Sequence, residues 1–277
     1  MALSELTGPA IKAELTKYLK AQGAKDILVH SDVLFGYKIP FESKDQFLRT
    51  HWQMLSETCE DLRLIFPAFN YDFCQGRPFD APNDPSQVGT LSEFARTKAS
   101  WRTPVPVFSF AGFGATPQVP TTGTIDPFDE NSLFGRLHKD RGLLMHYGSG
   151  LHTTTLIHYV ERISGQLIYR YDKDFHGEVK QGGTSTHVHL KYHVRPLGQP
   201  LKYDWARLQD DLQQQGILRR FHEKRTNILV AEIHSLVEYW LRKLRKDPFY
   251  LLETETRHWV EAKYHELRRP FQIQDFE

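Results

Sequence analysis

The apolar positions of the chain follow two different periods, and the change falls near residue 165. Before that point, short apolar runs alternate with segments of helical spacing. The predicted strands are 27–29, 62–69, 105–113 and 143–147, and the predicted helices are 4–22, 43–59, 91–98, 132–138 and 154–163. Strands and helices in alternation predict a mostly parallel central sheet covered on both faces, in a three-layer α/β/α fold.

After residue 165 the pattern becomes strand-like and then helical. Segments 167–175 and 187–195 alternate apolar and polar residues around Gly182 and Gly183, which predicts an antiparallel strand pair. Long C-terminal helices are predicted over 204–215 and 218–245. We expect a single domain over 1–277, in which the stretch from about 165 to 277 can form a subdomain.

Composition narrows the class of protein. The hydrophobic fraction of 40% and the aromatic fraction of 13% exclude a mainly disordered chain. Lys and Arg total 35 against 34 Asp and Glu, and this net charge of +1 argues against a nucleic-acid-binding protein. Neither a membrane-spanning apolar run nor a signal-peptide pattern is evident, so we expect a cytoplasmic location. Two cysteines give neither a disulfide framework nor a four-cysteine metal site.

Familiar nucleotide and hydrolase signatures are missing from the sequence. It contains no Gly-x-x-x-x-Gly-Lys phosphate loop, no Gly-x-Gly-x-x-Gly fingerprint and no Gly-x-Ser-x-Gly elbow. The sequence therefore does not predict a common nucleotide-binding or hydrolase site.

A first candidate site follows the first predicted strand, at His30, Ser31 and Asp32. Ligands of open α/β sheets collect at the carboxyl ends of the strands, which favours a binding role. Ser31 and Asp32 are equally suited to cap a following helix, and the pattern alone does not separate the two interpretations.

A second candidate is the triplet Thr155, His158 and Glu161, which share one side of a predicted helix. A carboxylate beside a histidine orients the ring and raises its basicity, as a general base requires. The Thr155 hydroxyl could hold a developing negative charge. The alternative is a surface pair that contributes a few tenths of a kcal/mol to helix stability.

Strand-like spacing places His187, His189 and His193 on one face. Imidazoles can bind zinc, but the sequence offers no flanking cysteine or clear carboxylate, so solvated histidines are favoured over a metal site. The carboxylates of Asp172 and Asp174 could grip a substrate amine or simply point outward at a strand end.

Several segments then occur in a consistent order between about residues 10 and 200. They are Leu28-Val29-His30-Ser31, Phe66-Pro67-Ala68-Phe69-Asn70-Tyr71, Pro85-Ser86-Gln87-Val88-Gly89-Thr90-Leu91, Pro127-Phe128 with Ser132 and Leu137, and Thr155-x-x-His158-Tyr159-x-Glu161. In these segments the chain resembles the aminoglycoside 3-N-acetyltransferase family, also called the antibiotic N-acetyltransferases, with its Val-His-Ser-Ser and Thr-x-x-His-x-x-Glu signatures.

The resemblance implies direct transfer of an acetyl group from acetyl-CoA to a substrate amine. It implies that His158 is the base, that Glu161 orients it and that Thr155 assists at the thioester. The implied cofactor-binding residues are His30, Ser31, Val33, Leu34, Ser109 and Phe110. The implied acceptor-binding residues are Phe69, Tyr71, Asp72, Asp172 and Asp174.

One departure bears on the acceptor. The family usually has Arg-Ser-x-His-Pro-x-x-Ser-Val, whereas here Val105 replaces the histidine while Pro106 and Ser109 remain. The segment 169–197 resembles relatives that act in bacterial surface-polysaccharide synthesis. A polycationic aminoglycoside favours a strongly acidic site, and the chain has no acidic excess, so we expect an amino sugar, free or nucleotide-linked.

Three alternatives stay open at this point. The acceptor can be an aminoglycoside, the donor can carry another acyl group, or the chain can be a binding module without catalysis. No nucleic-acid partner, membrane span or metal is expected, and assembly into a homo-oligomer is left open.

Overall fold

The computed structural model describes residues 9–39, 42–165, 167–199 and 201–277. The helices are α1 (Pro9–Ala21), α2 (Lys44–Thr58), α3 (Thr90–Arg96), α4 (Leu133–Lys139), α5 (Leu156–Ser164), α6 (Trp205–Gln214), α7 (Ile233–Lys246) and α8 (Thr254–Leu267). The strands are β1 (Asp26–Ser31), β2 (Arg63–Pro67), β3 (Phe79–Asp80), β4 (Trp101–Arg102), β5 (Phe110–Gly112), β6 (Gly123–Ile125), β7 (Leu143–Tyr147), β8 (Tyr171–Gln181), β9 (Thr184–Val194), β10 (Leu218–Glu223) and β11 (Thr226–Glu232). The predicted helix 4–22 matches α1 from residue 9 onward, and its first residues lie outside the described part.

The central sheet has the strand order β10-β11-β7-β1-β2-β5-β4 within the described residues. Strand β1 pairs in parallel with β2 and β7, and the flanking strands are antiparallel. Leu28 packs into one core cluster, whereas Ile27 and Val29 pack into a second cluster. Because both faces of the strand are covered, its sequence is a continuous apolar run. The predicted α/β class is confirmed, with parallel pairing at the centre of a mixed sheet.

A second sheet has the order β3-β8-β9-β6. Its long strands β8 and β9 form an antiparallel hairpin that turns at Gly182 and Gly183, both at positive φ. This confirms the predicted strand pair, with strands that extend further towards the turn. The segment 70–89, rich in proline and glycine, contributes β3, whose Phe79 lies opposite Val179.

The prediction of one helix over 218–245 is wrong in its first half. Strands β10 and β11 occupy this region and form a hairpin, and β11 pairs with β7 in the central sheet. Leu218, Phe221, Ile228 and Val230 are all buried there. The run of apolar residues fits a helical pattern as well as a strand, and its pairing with β7 decides in favour of the strand. The helix α7 starts at Ile233, and α8 was not predicted.

The predicted strand 105–113 is also shorter than expected, because β5 starts at Phe110. Proline at positions 104 and 106 removes two backbone donors. Val107 then adopts φ +65°, and the Phe108 N–H donates to the Pro106 carbonyl at 2.7 Å, which closes a γ-turn. A β-branched residue at positive φ is strained by about 1–3 kcal/mol, so the surrounding packing must hold this turn in place.

Candidate active site

Helix α5 carries the predicted catalytic residues. Thr155 stands at its N-cap position, and Gly165 ends it at φ +64°. The His158 side chain is 22% exposed, whereas the Glu161 side chain is fully buried. The interpretation as a solvent-exposed His–Glu pair is therefore wrong, since only the imidazole reaches the surface.

A buried arginine joins the histidine to the glutamate. Arg170 Nη2 lies 2.6 Å from Glu161 Oε2 and donates to His158 Nδ1 at 2.8 Å. The direct distance from His158 Nδ1 to Glu161 Oε2 is 3.4 Å, which is long for a hydrogen bond. Glu161 therefore has a long direct contact with His158, and Arg170 bridges the two side chains with shorter ones.

Two tyrosines complete this network. Tyr203 donates to Glu161 Oε2 at 2.8 Å and accepts from Arg170 Nη2 at 2.5 Å. Tyr169 donates to Glu161 Oε1 at 3.1 Å. Both carboxylate oxygens are thus hydrogen-bonded, as a charge that is removed from water requires.

The network fixes the charge of each member. Burial alone would raise the pKa of Glu161, but the Arg170 guanidinium, His158 and the Tyr203 hydrogen bond together outweigh it and lower this pKa to about 2. Burial, followed by the charge of Arg170, lowers the pKa of His158 to about 4, while Glu161 partly opposes this shift. At pH 7 the carboxylate is ionised and the imidazole is neutral. Because an arginine only donates hydrogen bonds, the imidazole proton rests on Nε2 whenever Arg170 donates to Nδ1.

Sequence reasoning missed Arg170 and Tyr203 as parts of the site. Arg170 interrupts the mainly apolar run 167–171, and a charge embedded in such a run indicates a buried ion pair. Tyr203 lies in a short segment before α6, where no local pattern distinguishes it.

Aromatic side chains pack around the histidine. The Phe128 ring lies 5.4 Å from the His158 ring at 74°, and Phe108 lies 4.6 Å from Phe128. Tyr192 and Tyr71 contact Phe108 at 4.9 and 6.3 Å. The γ-turn at 106–108 thus places Phe108 where it supports Phe128 and, through it, the His158 ring.

A second polar cluster lies where β1 and β7 end. The rings of His30 and His146 stack at 5.4 Å, and His146 Nε2 is 2.8 Å from the hydroxyl of Thr154, just before α5. Burial lowers the pKa of His30 to about 4, so its ring is neutral. Within the described chain, the buried atoms His30 Nε2 and Ser31 Oγ have no hydrogen-bond partner. Buried polar atoms without a partner are uncommon in native proteins, so these two mark the ends of β1 and β7 as a candidate ligand site.

The loops after β1 and β7 meet at Gly148. A Cβ on Gly148 would lie 2.0 Å from the Asp32 carbonyl, and its φ is +78°. Glycine is therefore required for this close approach. The loop after β1 carries two predicted cofactor residues: Val33, which packs on the core, and Leu34, which is 69% exposed.

The other predicted cofactor residues lie inside the protein. Ser109 is fully buried, donates to the Ala68 carbonyl at 2.6 Å and accepts from Arg102 at 3.0 Å. Phe110 packs edge-on against Phe134 in the core. The structure thus gives these two side chains packing partners in place of an open surface.

Some of the predicted acceptor residues are buried, and others are exposed. Phe69 is buried against Phe110, whereas Tyr71 is 39% exposed. Asp72 pairs with Arg77 at 3.0 Å. Of these residues, Tyr71 is connected to the histidine through the aromatic packing.

The remaining predicted acceptor carboxylates lie on the outward face of the β8–β9 hairpin. Asp172 binds Arg162 at 2.9 Å and His193 at 3.0 Å, and Asp174 binds His189 at 2.7 Å. The hairpin places the three predicted histidines on this face: His187, His189 and His193. The expected lack of a carboxylate partner is wrong, because β8 supplies one to His189 and another to His193. No group of His, Cys, Asp and Glu in the described ranges has a geometry that could hold a metal ion.

The chain matches one known protein family over most of its length. The model of the aminoglycoside 3-N-acetyltransferase family matches residues 47–245, which is more than two thirds of the chain. The chain belongs to this family. The matched span contains α5, the β8–β9 hairpin and Tyr203, so the buried network lies wholly within the family region.

Solved structures of similar fold agree with this assignment. AAC-IIIb, solved as a binary complex with CoASH, has a TM-score of 0.67 at 19% identity, covering 85% of this chain and 96% of that one. Aminoglycoside acetyltransferase AAC(3)-Xa has a TM-score of 0.65 at 17% identity, covering 84% and 92%. The YokD protein from Bacillus subtilis has a TM-score of 0.64 at 15% identity, covering 86% and 94%. No curated protein matches by sequence.

As a member of the aminoglycoside 3-N-acetyltransferase family, the protein is an N-acetyltransferase, and the family's co-substrate is acetyl-CoA. This confirms the predicted enzyme class. No helix among the described residues is long and apolar enough to cross a membrane.

Proposed function

We propose that the protein transfers an acetyl group from acetyl-CoA to the amine of an amino sugar, and that His158 is the general base. The observation that carries the choice of acceptor is the charge around His158. Arg170 and Arg195 both lower the pKa of His158 through their positive charges, whereas Glu161 raises it. Two cations beside one carboxylate offer a polycationic aminoglycoside no excess of negative charge and suit a neutral or anionic sugar better.

The acidic side chains support the same choice. Asp72, Asp172 and Asp174 are each engaged with an arginine or a histidine. A carboxylate that already has a partner attracts a substrate ammonium less strongly, since the two positive groups compete for it. The hairpin therefore lacks the concentrated negative charge that an aminoglycoside would require.

The cluster at the ends of β1 and β7 suits the co-substrate. His30 Nε2 and Ser31 Oγ are buried polar atoms without a partner in the described structure, and the pantetheine arm of CoA carries amide groups that could satisfy both. The exposed Leu34 offers apolar contact beside them. We place the thioester between this cluster and His158, next to Thr155.

The reaction then forms one bond and breaks another. The amine nitrogen attacks the acetyl carbon, the C–N bond forms, and the C–S bond breaks with the electron pair on the CoA sulfur. His158 takes the proton that the nitrogen loses, and that proton passes to the CoA thiolate. Thr155 can donate to the acyl oxygen as its negative charge develops.

The tautomer of His158 limits when this can happen. With Arg170 Nη2 at 2.8 Å from Nδ1, the ring proton occupies Nε2, and that nitrogen cannot accept another proton. Base action at Nε2 requires the proton on Nδ1, facing Glu161 Oε2 at 3.4 Å. The catalytic step therefore needs a small shift of Arg170 away from the ring, after which Glu161 takes the orienting role.

Purified protein with acetyl-CoA and a panel of amines tests the proposal. The panel holds free amino sugars, nucleotide-linked amino sugars and aminoglycosides, and thiol release reports transfer. We expect turnover with amino sugars and a loss of activity in His158→Ala. Turnover with aminoglycosides alone would reject the proposed acceptor, and full activity of His158→Ala would reject the proposed base.

A further inference from the structure

A cavity of about 400 Å³ lies on the far side of Tyr203 from Glu161, and its volume is within the range of roughly 300–1,000 Å³ found for small-molecule sites. We call it the 195–205 pocket. The residues that carry its chemistry are Arg195, Lys202, Tyr203, Trp205, Leu197 and Glu253.

The positively charged side of the pocket is held in place. Arg195 Nη1 donates to the Leu201 carbonyl at 3.0 Å, which fixes one edge of the guanidinium and leaves other N–H groups to bind a ligand. The Lys202 N–H donates to Thr256 Oγ1 at 3.0 Å, and the Lys202 carbonyl accepts from the Glu253 N–H at 3.1 Å. The guanidinium of Arg195 is thus oriented before an anion arrives, and the exposed Lys202 side chain extends from an anchored backbone.

The pocket also offers aromatic surface. Trp205 packs at 5.2 Å and 65° against Tyr203, and both rings line the cavity. Leu197 is 71% exposed at its edge, which is unusual for a large apolar side chain. Indole and phenol rings stack on nucleobases, whereas a simple phosphate would leave this surface unused.

One side chain connects the pocket to the catalytic histidine. The Tyr203 ring lies 6.5 Å from the His158 ring, and its hydroxyl bonds to Glu161 and Arg170. Tyr203 is therefore a wall shared by the pocket and the buried network beside His158, and a sugar attached to a ligand in the pocket would extend past this wall to bring its amine to His158. The polar cluster at His30 lies near Thr154, at the N-terminal end of α5.

We propose that the 195–205 pocket binds the nucleoside diphosphate portion of a nucleotide-linked amino sugar, with the sugar amine at His158. Arg195 and Lys202 bind the diphosphate, Trp205 contacts the base, and Glu253 accepts from a ribose hydroxyl. This inference rests on the proposed function, because it assumes that His158 serves the acceptor.

Equilibrium binding of UDP, dTDP, GDP and ADP to the wild-type protein, with and without saturating CoA, tests the proposal. We expect at least one of the four to bind equally well in both conditions, and inorganic diphosphate to bind more weakly because it has no base. Arg195→Gln and Lys202→Gln should each raise Kd about tenfold or more, as the loss of a charge-assisted hydrogen bond predicts. Lys202→Gln leaves the Arg195–Leu201 bond in place, so it separates charge loss from loop disruption.

Arg242→Gln on α7 is the matched control, since it removes the same charge from another surface. It should leave Kd unchanged. Three outcomes would overturn the proposal: none of the four nucleotides binds, CoA displaces the bound nucleotide, or Arg242→Gln has the same effect as Arg195→Gln. Displacement by CoA would assign the pocket to the nucleotide end of the co-substrate. Transfer to free amino sugars without nucleotide binding would leave the proposed function standing while this inference fails.

Discussion

Replacement of Arg170 by methionine removes the cation that keeps Glu161 ionised inside the protein. The side chains of Arg170 and Glu161 are 1% and 0% exposed, and they approach to 2.6 Å. Methionine matches the length of the arginine stem without its charge, so the variant leaves a buried carboxylate beside a neutral imidazole.

The magnitude follows from the Glu161 carboxyl. Its pKa of about 2 lies below the ordinary value of 4.5, and this difference corresponds to about 3 kcal/mol of native-state stability. Loss of one partner of a buried ion pair costs about 3–5 kcal/mol in other proteins. We therefore expect Arg170→Met to lose about 3–5 kcal/mol of unfolding free energy at pH 7.

The sign of the pH dependence is also determined. In the wild type, the low pKa of Glu161 contributes stability that is present above about pH 4.5 and is lost as the pH falls through about 2. In Arg170→Met, the burial of Glu161 is opposed only by the weaker effects of His158 and Tyr203, so its pKa rises, and the pKa of His158 rises without the arginine charge. The native variant then holds a proton that the unfolded chain releases, so its stability relative to wild type should increase from pH 8 to pH 5.

Urea unfolding at pH 5, 6, 7 and 8 measures this difference. The double variant Glu161→Gln/Arg170→Met serves as the control, because it removes the carboxyl and should show a weaker pH dependence. A loss below about 1 kcal/mol at pH 7 would contradict the reasoning, as would a variant whose stability follows the wild-type pH profile.

Three further predictions concern the same site. His158→Ala should lower kcat about 10²–10⁴-fold with little change in Tm, and a small kinetic effect would argue against general-base catalysis. Nitrogen NMR of His158 should show a neutral ring with its single proton on Nε2 in the free protein. Because the pKa of His158 is about 4, the ring should not become an imidazolium between pH 5 and 8. An imidazolium at pH 6 would contradict the argument that burial lowers this pKa. Gly148→Ala should destabilise the protein by about 2 kcal/mol or more and weaken CoA binding. Gly182→Ala is the control, because this open turn has no atom within 4 Å of an added Cβ, and it should leave CoA binding unchanged. Equal CoA affinity in the two variants would show that Gly148 is not part of the CoA site.

Local sequence patterns were sufficient for elements that are either buried throughout or alternately buried and exposed. The run at 27–29 belongs to a strand covered on both faces, and the two glycines at 182 and 183 turn the predicted hairpin. The segment 218–232 was assigned incorrectly, because its apolar residues fit a helix and a strand almost equally well. Pairing of β11 with β7, which is distant in sequence, resolves that ambiguity.

In the candidate site, too, some features could be predicted from local sequence and others could not. Thr155, His158 and Glu161 could be identified from their spacing and the family resemblance, because they lie on one helix. Their electrostatics could not be identified in this way, since burial and approach of charges are properties of the folded chain. The predicted acceptor carboxylates show the reverse, because Asp172 and Asp174 are prominent in the sequence and yet are paired with neighbouring side chains in the fold.

By itself, the sequence determined the α/β class, the parallel strands β1, β2 and β7 and the placement of Thr155, His158 and Glu161 on one helix, because each depends on periodicity or on residues within a few turns of one another. The tertiary structure alone decided that Arg170 bridges His158 and Glu161 and that Tyr203 joins this network to a basic pocket. These contacts bring the residue before β8 and the segment before α6 against helix α5. The charges of these side chains act through space, so their effect depends on distances in the folded chain and not on separation in the sequence.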